Sequence, residues 1–261
     1  MLPRISKVEC NDADYLLFST EDAISNTLFR TGKWEDHLIT ISDFILKEAD
    51  SPLLIDIGAN LGAYSIPLAK KIQDIGGKVI GFEPQRIIYY QLCGNIILNR
   101  LDNFYAEYCA IGDHDGSIDI PEVDYTNLKN IGGFSIEERY RVLQGIQDSV
   151  KKTSTKVSLI SLDSYDCDTS PTLIKIDVEG HEINVLRGAN KFLSKHNFPP
   201  ILFEAWGYDW FKNDRNLLLS YIEDLGYKIT AFGGDYIAQH PTRKNRINFK
   251  TLPNGQTLIE R

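Results

Sequence analysis

Residues 53–65 read Leu-Leu-Ile-Asp-Ile-Gly-Ala-Asn-Leu-Gly-Ala-Tyr-Ser, an apolar run that leads into closely spaced small residues and then into helical spacing. This pattern predicts a strand, a tight turn and the start of a helix. Gly58 and Gly62 have no Cβ where the chain must reverse and where a ligand can approach the backbone, and Asn60 tolerates a left-handed conformation. The turn therefore predicts a binding site for a nucleotide-like ligand.

An acidic residue that can bind ribose hydroxyls is expected at the end of the next strand of such a unit. Residues 78–83, Lys-Val-Ile-Gly-Phe-Glu, end in Glu83, about 27 positions after Asp56, which suits a strand–helix–strand unit. The turn departs from the G-x-G-x-x-G pattern that binds a pyrophosphate through backbone N–H groups. Asp56 at the strand end and Asn60 in the turn suit a ligand with a cationic or zwitterionic end, and S-adenosylmethionine meets this description.

Other interpretations of the turn stay open at this point. A dehydrogenase that uses NAD would also have a strand, a turn, a helix and an acid such as Glu83, although the third glycine of its pattern is missing here. The turn could also belong to a doubly wound domain that binds nothing there. A non-catalytic module that binds a cofactor or a glycan would share the same features.

Further segments of the chain carry a family resemblance. Five segments occur in order: residues 55–62 (Ile-Asp-Ile-Gly-Ala-Asn-Leu-Gly), 81–84 (Gly-Phe-Glu-Pro), 110–113 (Ala-Ile-Gly-Asp), 174–182 (Ile-Lys-Ile-Asp-Val-Glu-Gly-His-Glu) and 200–204 (Pro-Ile-Leu-Phe-Glu). Together they resemble the FkbM-type S-adenosylmethionine-dependent methyltransferases. The fourth segment is the most specific, because Asp-Val-Glu-Gly followed by His-Glu distinguishes this family from class I methyltransferases at large.

The resemblance implies a fold, a cofactor site and a reaction. The implied fold is a single α/β domain over residues 1–261, with a doubly wound, mostly parallel seven-stranded sheet of the Rossmann-like class I methyltransferase type and an antiparallel last strand. The implied cofactor-binding residues are Asp56, Gly58, Asn60 and Gly62 in the turn, Glu83 at the ribose, and Ile111 and Asp113 near the adenine. The implied reaction is O-methylation by S-adenosylmethionine of a hydroxyl on a sugar, a glycan or a related small molecule.

Four titratable side chains follow two later predicted strands, at the edge where a parallel sheet binds its ligands. They are Asp177, Glu179, His181 and Glu204. Methyl transfer to an aliphatic hydroxyl requires an aligned acceptor and a base that receives its proton. His181 is a candidate base because the reference pKa of histidine is closest to neutral, with Asp177 or Glu179 orienting it. A carboxylate base remains an alternative.

These residues also have simpler interpretations. Glu179 or Glu182 could cap the helix that follows Gly180, where negative charge is favoured by ~0.3–1 kcal/mol, and His181 could be an ordinary surface residue. The four candidate side chains could also bind a divalent cation through oxygen and imidazole ligands. The resemblance does not require a metal, so no metal is predicted.

Residues 114–156 interrupt the regular alternation of strands and helices and are predicted to be an insertion on the acceptor side of the sheet. Phe134 lies in its most loop-like piece, which is a candidate substrate flap or a plain turn. Trp206 and Tyr208 follow Glu204 at alternate positions and could stack on a sugar ring, although core packing is the usual role of such residues.

Composition excludes several classes of protein. The net charge of −8 argues against a nucleic-acid partner, because nucleic-acid-binding proteins carry a basic surface. The four cysteines are scattered and do not match a zinc or redox motif. The N-terminus lacks the apolar core of a signal peptide, and no apolar run approaches the ~18 residues of a membrane span. These observations predict a soluble, cytoplasmic protein of unknown oligomeric state with a small-molecule or glycan acceptor.

The remaining elements are predicted from periodicity and from breaker residues. Residues 1–50 form an N-terminal helical preface, in which Ser19 or Thr20 caps a helix over 22–29. Strands are predicted at 104–110 and 157–162, the latter beside a short strand around 118–120, and helices at 137–150, 182–193 and 217–225. Residues 227–232 and 235–239 form the closing antiparallel pair, and the tail from Pro241 is irregular.

Overall fold

The computed structural model describes residues 2–126, 131–146, 150–243, 246–251 and 257–260. The strands of these residues are β1 (Ile5–Glu9), β2 (Asp14–Phe18), β3 (Leu53–Ile57), β4 (Lys78–Phe82), β5 (Phe104–Glu107), β6 (Ala110–Ile111), β7 (Gly116–Val123), β8 (Val150–Ile160), β9 (Leu173–Ile176), β10 (Ile201–Glu204), β11 (Lys228–Phe232), β12 (Asp235–Gln239), β13 (Asn248–Thr251) and β14 (Thr257–Glu260). The helices are α1 (Ala23–Thr31), α2 (Asp36–Leu46), α3 (Ser65–Gln73), α4 (Arg86–Leu98), α5 (Glu138–Gln144), α6 (Glu182–Arg187), α7 (Asn190–Lys195) and α8 (Lys212–Asp224).

The central sheet of the described residues has seven strands in the order β11-β12-β10-β9-β3-β4-β5. Neighbouring strands from β10 to β5 are parallel, and β12 runs antiparallel to both β10 and β11. This arrangement confirms the predicted doubly wound sheet with an antiparallel last strand. It places the carboxyl ends of β3, β4, β9 and β10 along one edge, which is the edge where α/β sheets bind ligands.

Burial of both faces explains why the central strands are continuous apolar runs. Every residue of β3 is buried, and so is every residue of β9. One face packs against α2, α3 and α4 through residues such as Leu46, Leu68 and Leu92. The opposite face packs against α6, α7 and α8. Pro67 lies in the first turn of α3, as predicted, where its missing N–H costs no helical hydrogen bond.

The inserted region forms a second, smaller sheet in the order β6-β8-β7. Its base is closed where Ala110 pairs with Leu159 and where the Gly112 N–H donates to the Ile160 carbonyl oxygen, at 3.0 Å. The predicted pairing of residues around 118–120 with the later strand is confirmed, but that strand begins at Val150. The helix predicted over 137–150 spans only α5, and residues 147–149 lie outside the described part.

Several predicted boundaries are wrong for reasons that lie in distant contacts. The strand predicted over 104–110 ends at Glu107, whose carbonyl oxygen accepts both the Glu83 and Cys109 N–H groups, and residues 110–111 join the other sheet. The helix predicted over 182–193 is two helices, because the Asp163 carboxylate caps the Phe192 N–H.

The ends of the chain and of α1 also differ from prediction. Asp22, rather than Ser19 or Thr20, caps α1 by accepting the Ser25 N–H at 2.9 Å. Strand β1 precedes the predicted elements of the preface, α8 begins at Lys212, and β13 pairs with β14 in the tail that was predicted to be irregular. Among the described residues, none of the helices combines the length and the apolar character required to cross a bilayer.

Candidate active site

A cavity of about 580 Å³ opens at the carboxyl edge of the central sheet. This volume falls in the range of pockets that enclose a drug-sized ligand. The predicted site residues that line it are Asp56, Gly58, Asn60, Glu83, Ile111, Asp113, Phe134, Asp177, Glu179, His181 and Glu204. The fold therefore brings most of the predicted site together, whereas Gly62, Trp206 and Tyr208 are outside the lining.

The turn after β3 adopts the conformation that its small residues permit. Gly58 and Gly62 both have φ of +89°, and Asn60 has φ of +50°, so the turn has three left-handed positions. A Cβ on Gly58 would lie 1.9 Å from the Asp177 carbonyl oxygen, which explains why no side chain fits there. Gly62 instead makes room for the side chains of Ile66 and Leu92, so it acts in packing.

Asp56 carries a buried carboxylate without a hydrogen-bond partner. Its side chain is 1% exposed, and neither Oδ1 nor Oδ2 has a hydrogen-bond partner among the described residues. Burial raises the pKa of Asp56, while the nearby charge of Lys175 and the Ser65 hydroxyl, which lies near it without hydrogen-bond geometry, act in the opposite direction. A buried carboxylate on the cavity wall that lacks a donor fits the ammonium group of an amino acid.

Glu83 holds the turn from the neighbouring strand. Its Oε2 accepts the Asn60 N–H at 2.9 Å, and its Oε1 accepts the Gln85 N–H at 2.7 Å. Burial raises the pKa of Glu83 to about 7, against the effect of these two hydrogen bonds. Each carboxylate oxygen has a second lone pair, so Glu83 can still accept hydrogen bonds from ribose hydroxyls.

Ile111 and Asp113 lie on the wall next to Glu83, after β6. Ile111 is buried and presents an apolar surface that suits an adenine ring. The Asp113 carboxylate contacts Nδ1 of His114 at 2.6 Å, and both residues border the cavity. Together with Asp56 and Glu83, these residues fit the parts of S-adenosylmethionine in the order that the resemblance implies.

The adjacent wall, formed after β9 and β10, carries a row of carboxylates. Asp177, Glu179 and Glu204 each bring one oxygen within 4.8 Å of the others. Glu204 is also the register partner of Asp235 across β10 and β12, so a fourth carboxylate continues the row. Burial, followed by the charge of Asp177, raises the pKa of Glu204 to about 8 and that of Glu179 well above its ordinary value.

Glu182 has a structural role beneath this row. Its Oε1 accepts the Val178 and Gly180 N–H groups at 3.1 and 3.2 Å, and thereby holds the turn in which Glu179 has φ of +55°. Burial raises the pKa of Glu182 to about 7. Glu182 therefore holds the turn that precedes α6 instead of capping the helix as predicted, and the Glu179 carboxylate lines the cavity.

His181 lies at the edge of the cavity near the inserted region. Its Nε2 is 3.6 Å from Glu137 Oε1, and its Nδ1 is 3.2 Å from Asn184 Nδ2. These contacts differ from the expected ones with Asp177 or Glu179. Burial lowers the pKa of His181, which favours the neutral imidazole that a base requires.

The three predicted substrate residues lie in different environments. Phe134 is buried and lines the cavity. Trp206 is packed against Tyr140 and Phe211 behind Gly180, in an aromatic cluster outside the cavity. Tyr208 is 55% exposed and stacks on Trp210 with ring centroids 4.9 Å apart. Their role in acceptor binding stays a prediction.

Two further charged residues line the cavity: sequence reasoning missed Lys175, whereas Glu35, at the start of a predicted helix, was a candidate lid residue or a plain helix-start acid. Lys175 is buried within β9 and its Nζ contacts Asp177 Oδ2 at 2.8 Å. Glu35 precedes α2 with φ of +46°, and burial raises its pKa to about 7. The available signal for Lys175 was a charged residue inside the apolar run Leu-Ile-Lys-Ile, since a buried lysine requires an acidic partner.

The chain is similar in sequence to known methyltransferases. The family described as the methyltransferase FkbM domain matches residues 56–229, more than half of the chain. Methyltransferase sdnD from Sordaria araneosa is 25% identical over 246 residues, covering 85% of this chain and 90% of that protein. Methyltransferase 1 from Beauveria bassiana is 24% identical over 149 residues, covering 53% of this chain and 59% of that protein.

Among solved structures, the methyltransferase FkbM from Methylobacillus flagellatus superposes with a TM-score of 0.46 at 21% identity. The match covers 73% of the present chain and 44% of the other, so the present chain spans less than half of that protein. A S-adenosylmethionine-dependent O-methyltransferase from Thermotoga maritima gives a TM-score of 0.47 at 10% identity, covering 99% of this chain and 72% of the other.

Proposed function

The chain belongs to the FkbM methyltransferase family, and on that premise we propose that it transfers a methyl group from S-adenosylmethionine to a hydroxyl oxygen. The proposed acceptor is a sugar, a glycan or a related small molecule. The observation that carries the proposal is one cavity with two chemically different walls. One wall has the partnerless Asp56 carboxylate and the backbone-bound Glu83, and the other has the Asp177, Glu179 and Glu204 carboxylates.

The first wall supplies the groups that hold the cofactor. Asp56 would bind its ammonium group, Glu83 its ribose hydroxyls, and Ile111 its adenine. When bound, the cofactor supplies an electrophilic methyl group on a sulfonium. A binding site that fixes this methyl group supports transfer by alignment, because an in-line displacement depends on the distance and direction of the attacking oxygen.

The second wall supplies acid–base groups for the acceptor. An aliphatic hydroxyl loses its proton as its oxygen bonds to carbon, and an ionised carboxylate within hydrogen-bond reach can receive that proton. Carboxyl groups whose pKa is raised, such as Glu204, can also donate a hydrogen bond while protonated. A wall that has both ionised carboxylates and protonated carboxyl groups suits a neutral polyol, which donates and accepts hydrogen bonds. The negative charge of this wall disfavours an acceptor that carries a phosphate or a carboxylate.

Calorimetric titration with S-adenosylhomocysteine, and separately with NAD, tests the cofactor assignment. We expect S-adenosylhomocysteine to bind the wild-type protein and to bind Glu83→Ala at least about tenfold more weakly, since charged hydrogen bonds contribute about 1.5–3 kcal/mol. Glu138→Ala is the matched control, because Glu138 is an exposed acid on α5 outside the cavity. Binding of NAD in place of S-adenosylhomocysteine would overturn the proposal.

Transfer of a labelled methyl group to a panel of sugars, starting with deoxysugars, tests the reaction. We expect Asp177→Asn to retain S-adenosylhomocysteine binding while its transfer rate falls, which separates an enzyme from a binding module. If the wild-type protein binds the cofactor but labels no hydroxyl compound in the panel, the proposed acceptor class is wrong.

A further inference from the structure

We propose that Lys175 is a positioning residue, whose ammonium group keeps the Asp177 carboxylate ionised and oriented so that Asp177 receives the proton of the acceptor hydroxyl. This inference rests on the proposed function and assigns the base within it. It begins from one contact, the 2.8 Å distance between Lys175 Nζ and Asp177 Oδ2. The two residues are separated by one position at the end of β9, so their side chains lie on the same face of the sheet.

Lys175 is held in place from several elements. Its side chain is 7% exposed, its register partner on β3 is Asp56, and its Nζ lies 5.0 Å from the ring centroid of Tyr64. Of the described residues that line the cavity, Lys175 provides the single lysine or arginine side chain. A lysine so deeply buried is stable only where carboxylates compensate its charge, so its position depends on the acids around it.

The charged and titratable groups that surround this pair come from every neighbouring element. They are Glu35 before α2, Asp56 on β3, Tyr64 before α3, Glu83 after β4, Glu179 and Glu182 after β9, Glu204 on β10, and Asp235 on β12 with its partner His37. Burial alone would lower the pKa of Lys175, but the charges of Asp177, Asp56 and Glu35 raise it well above its ordinary value. Lys175 is therefore a cation at neutral pH and cannot itself serve as the base.

The contact with Lys175 gives Asp177 a different electrostatic environment from those of Glu179 and Glu204. Three acids within 4.8 Å of one another cannot all be ionised without a strong mutual repulsion. Lys175 contacts Asp177 directly, whereas Glu179 and Glu204 lack such a partner in the described hydrogen bonds and ion pairs and have raised pKa values. The contact with the Lys175 ammonium therefore favours the negative charge on Asp177, and the raised pKa values of the two glutamates favour their protonated forms.

The assignment gives a balanced transfer step. The acceptor oxygen forms a bond to the methyl carbon, and the electron pair of the breaking carbon–sulfur bond remains on sulfur. The hydroxyl proton moves to Asp177, which becomes neutral as the positive charge on sulfur disappears. Asp177 is 26% exposed on the cavity side, so its carboxylate is accessible while Lys175 holds Oδ2.

Two substitutions at position 175 and one control substitution elsewhere test this role in labelled methyl transfer at saturating cofactor. We expect Lys175→Met to lower kcat about 10- to 100-fold at pH 7 and to move the acidic limb of the pH–rate profile to higher pH, because the base loses the charge that keeps it ionised. Lys175→Arg retains the charge and is expected to keep most of the rate. Lys47→Met is the control, because Lys47 pairs with Asp43 at the exposed end of α2.

Chemical rescue separates a charge effect from a packing effect. We expect propylammonium to restore transfer by Lys175→Ala, and the neutral 1-propanol, which has a similar shape, not to restore it. Equal rescue by both compounds would assign Lys175 a purely structural role. An unchanged pH–rate profile in Lys175→Met would also overturn the inference.

A measurement on the wild-type protein needs no acceptor and no variant at position 175. In protein labelled with ¹³C at the aspartate carboxyl carbon, Asp177→Asn identifies the Asp177 signal. We expect that signal to have the chemical shift of an ionised carboxylate at pH 6. A protonated Asp177 at that pH would overturn the inference even if the variants do not fold, whereas an inactive wild-type enzyme with an ionised Asp177 would count against the proposed function alone.

Discussion

The two walls of the cavity use the same kind of side chain in opposite ways. At the β3–β4 wall, the Glu83 carboxylate accepts two backbone N–H groups and thereby fixes the glycine turn. At the β9–β10 wall, Asp177, Glu179 and Glu204 face one another within 4.8 Å. Burial raises the pKa of Glu83 to about 7 and that of Glu204 to about 8, although Glu83 has two donors that oppose the rise.

The difference shows how one cavity can bind both a cofactor, which stays the same, and an acceptor, which can vary. Backbone donors cannot be changed by substitution of a single side chain, so the wall that Glu83 organises is prearranged for its ligand. The acidic wall instead depends on protons, on Lys175 and on the incoming acceptor to balance its charge. Substitutions that are chemically alike should therefore have opposite effects at the two walls.

The largest effect is expected where the two walls meet, at Gly58. In Gly58→Ala, the new Cβ would lie 1.9 Å from the Asp177 carbonyl oxygen, at a left-handed φ of +89°. We expect a loss of about 2–5 kcal/mol in the free energy of unfolding, from backbone strain and overpacking together. Denaturant unfolding measures the loss, and S-adenosylhomocysteine binding should be lost in parallel.

Two control glycines divide the Gly58 effect into its parts. Gly145 has a left-handed φ of +69° with no atom near its Cβ position, and Gly207 has open space without a left-handed φ. Gly145→Ala should lower the free energy of unfolding by the backbone strain alone, about 1–2 kcal/mol. Gly207→Ala should leave the free energy of unfolding unchanged. An equal cost at Gly58 and Gly145 would mean that the two walls are not in tight contact.

A smaller loss is expected from Glu83→Gln. The substituted amide can offer an oxygen to only one of the Asn60 and Gln85 N–H groups, so the other buried donor is left without an acceptor. We expect the free energy of unfolding to fall by about 1–3 kcal/mol at pH 8. Urea denaturation followed by circular dichroism measures this change, and an unaltered stability would show that water replaces the lost acceptor.

The same substitution at the acidic wall, Glu204→Gln, is expected to stabilise the protein at alkaline pH, by of the order of 1 kcal/mol. The folded-state pKa of Glu204, about 8, lies above its unfolded value, so its contribution to stability is fully present at pH 4 and is lost as the pH rises through 8. Thermal unfolding of the cofactor-free protein between pH 5 and pH 9 measures the difference between variant and wild type. It should be small at pH 5 and grow towards pH 9; a variant that is less stable at pH 9 would contradict this account.

The sheet was predictable because its determinants are local. The apolar runs of β3, β4, β9 and β10, the glycine turn and the closing antiparallel pair were all visible in the sequence. The failed boundaries depend on distant partners. The interruption between α6 and α7 requires Asp163, which caps Phe192, and the true cap of α1 is Asp22, whose second oxygen accepts the Ile131 N–H.

The site was predictable where the residue type itself implies a function. Carboxylates at the ends of parallel strands were expected to meet, and Asp56, Glu83, Asp177 and Glu204 share one cavity. Lys175 was missed because the interpretation of β9 rested on its apolar residues. The surroundings of Trp206 were also hidden, since its partner Tyr140 belongs to the inserted region.

The inserted region packs against the rest of the molecule through several contacts, among them Ile131 with Asp22, Glu137 with His181, and Tyr140 with Trp206. The Gly112 N–H meets the Ile160 carbonyl oxygen at its base, and a second contact places Gly132 against Asn60 of the glycine turn. For enzyme engineering, residues 113–160 are therefore not an independent cassette: a graft between homologues must also match Asp22, which accepts the Ile131 N–H, and Trp206, which packs on Tyr140. A donor cassette must carry a glycine where Gly132 stands, because a Cβ there would lie 1.7 Å from the Asn60 amide nitrogen.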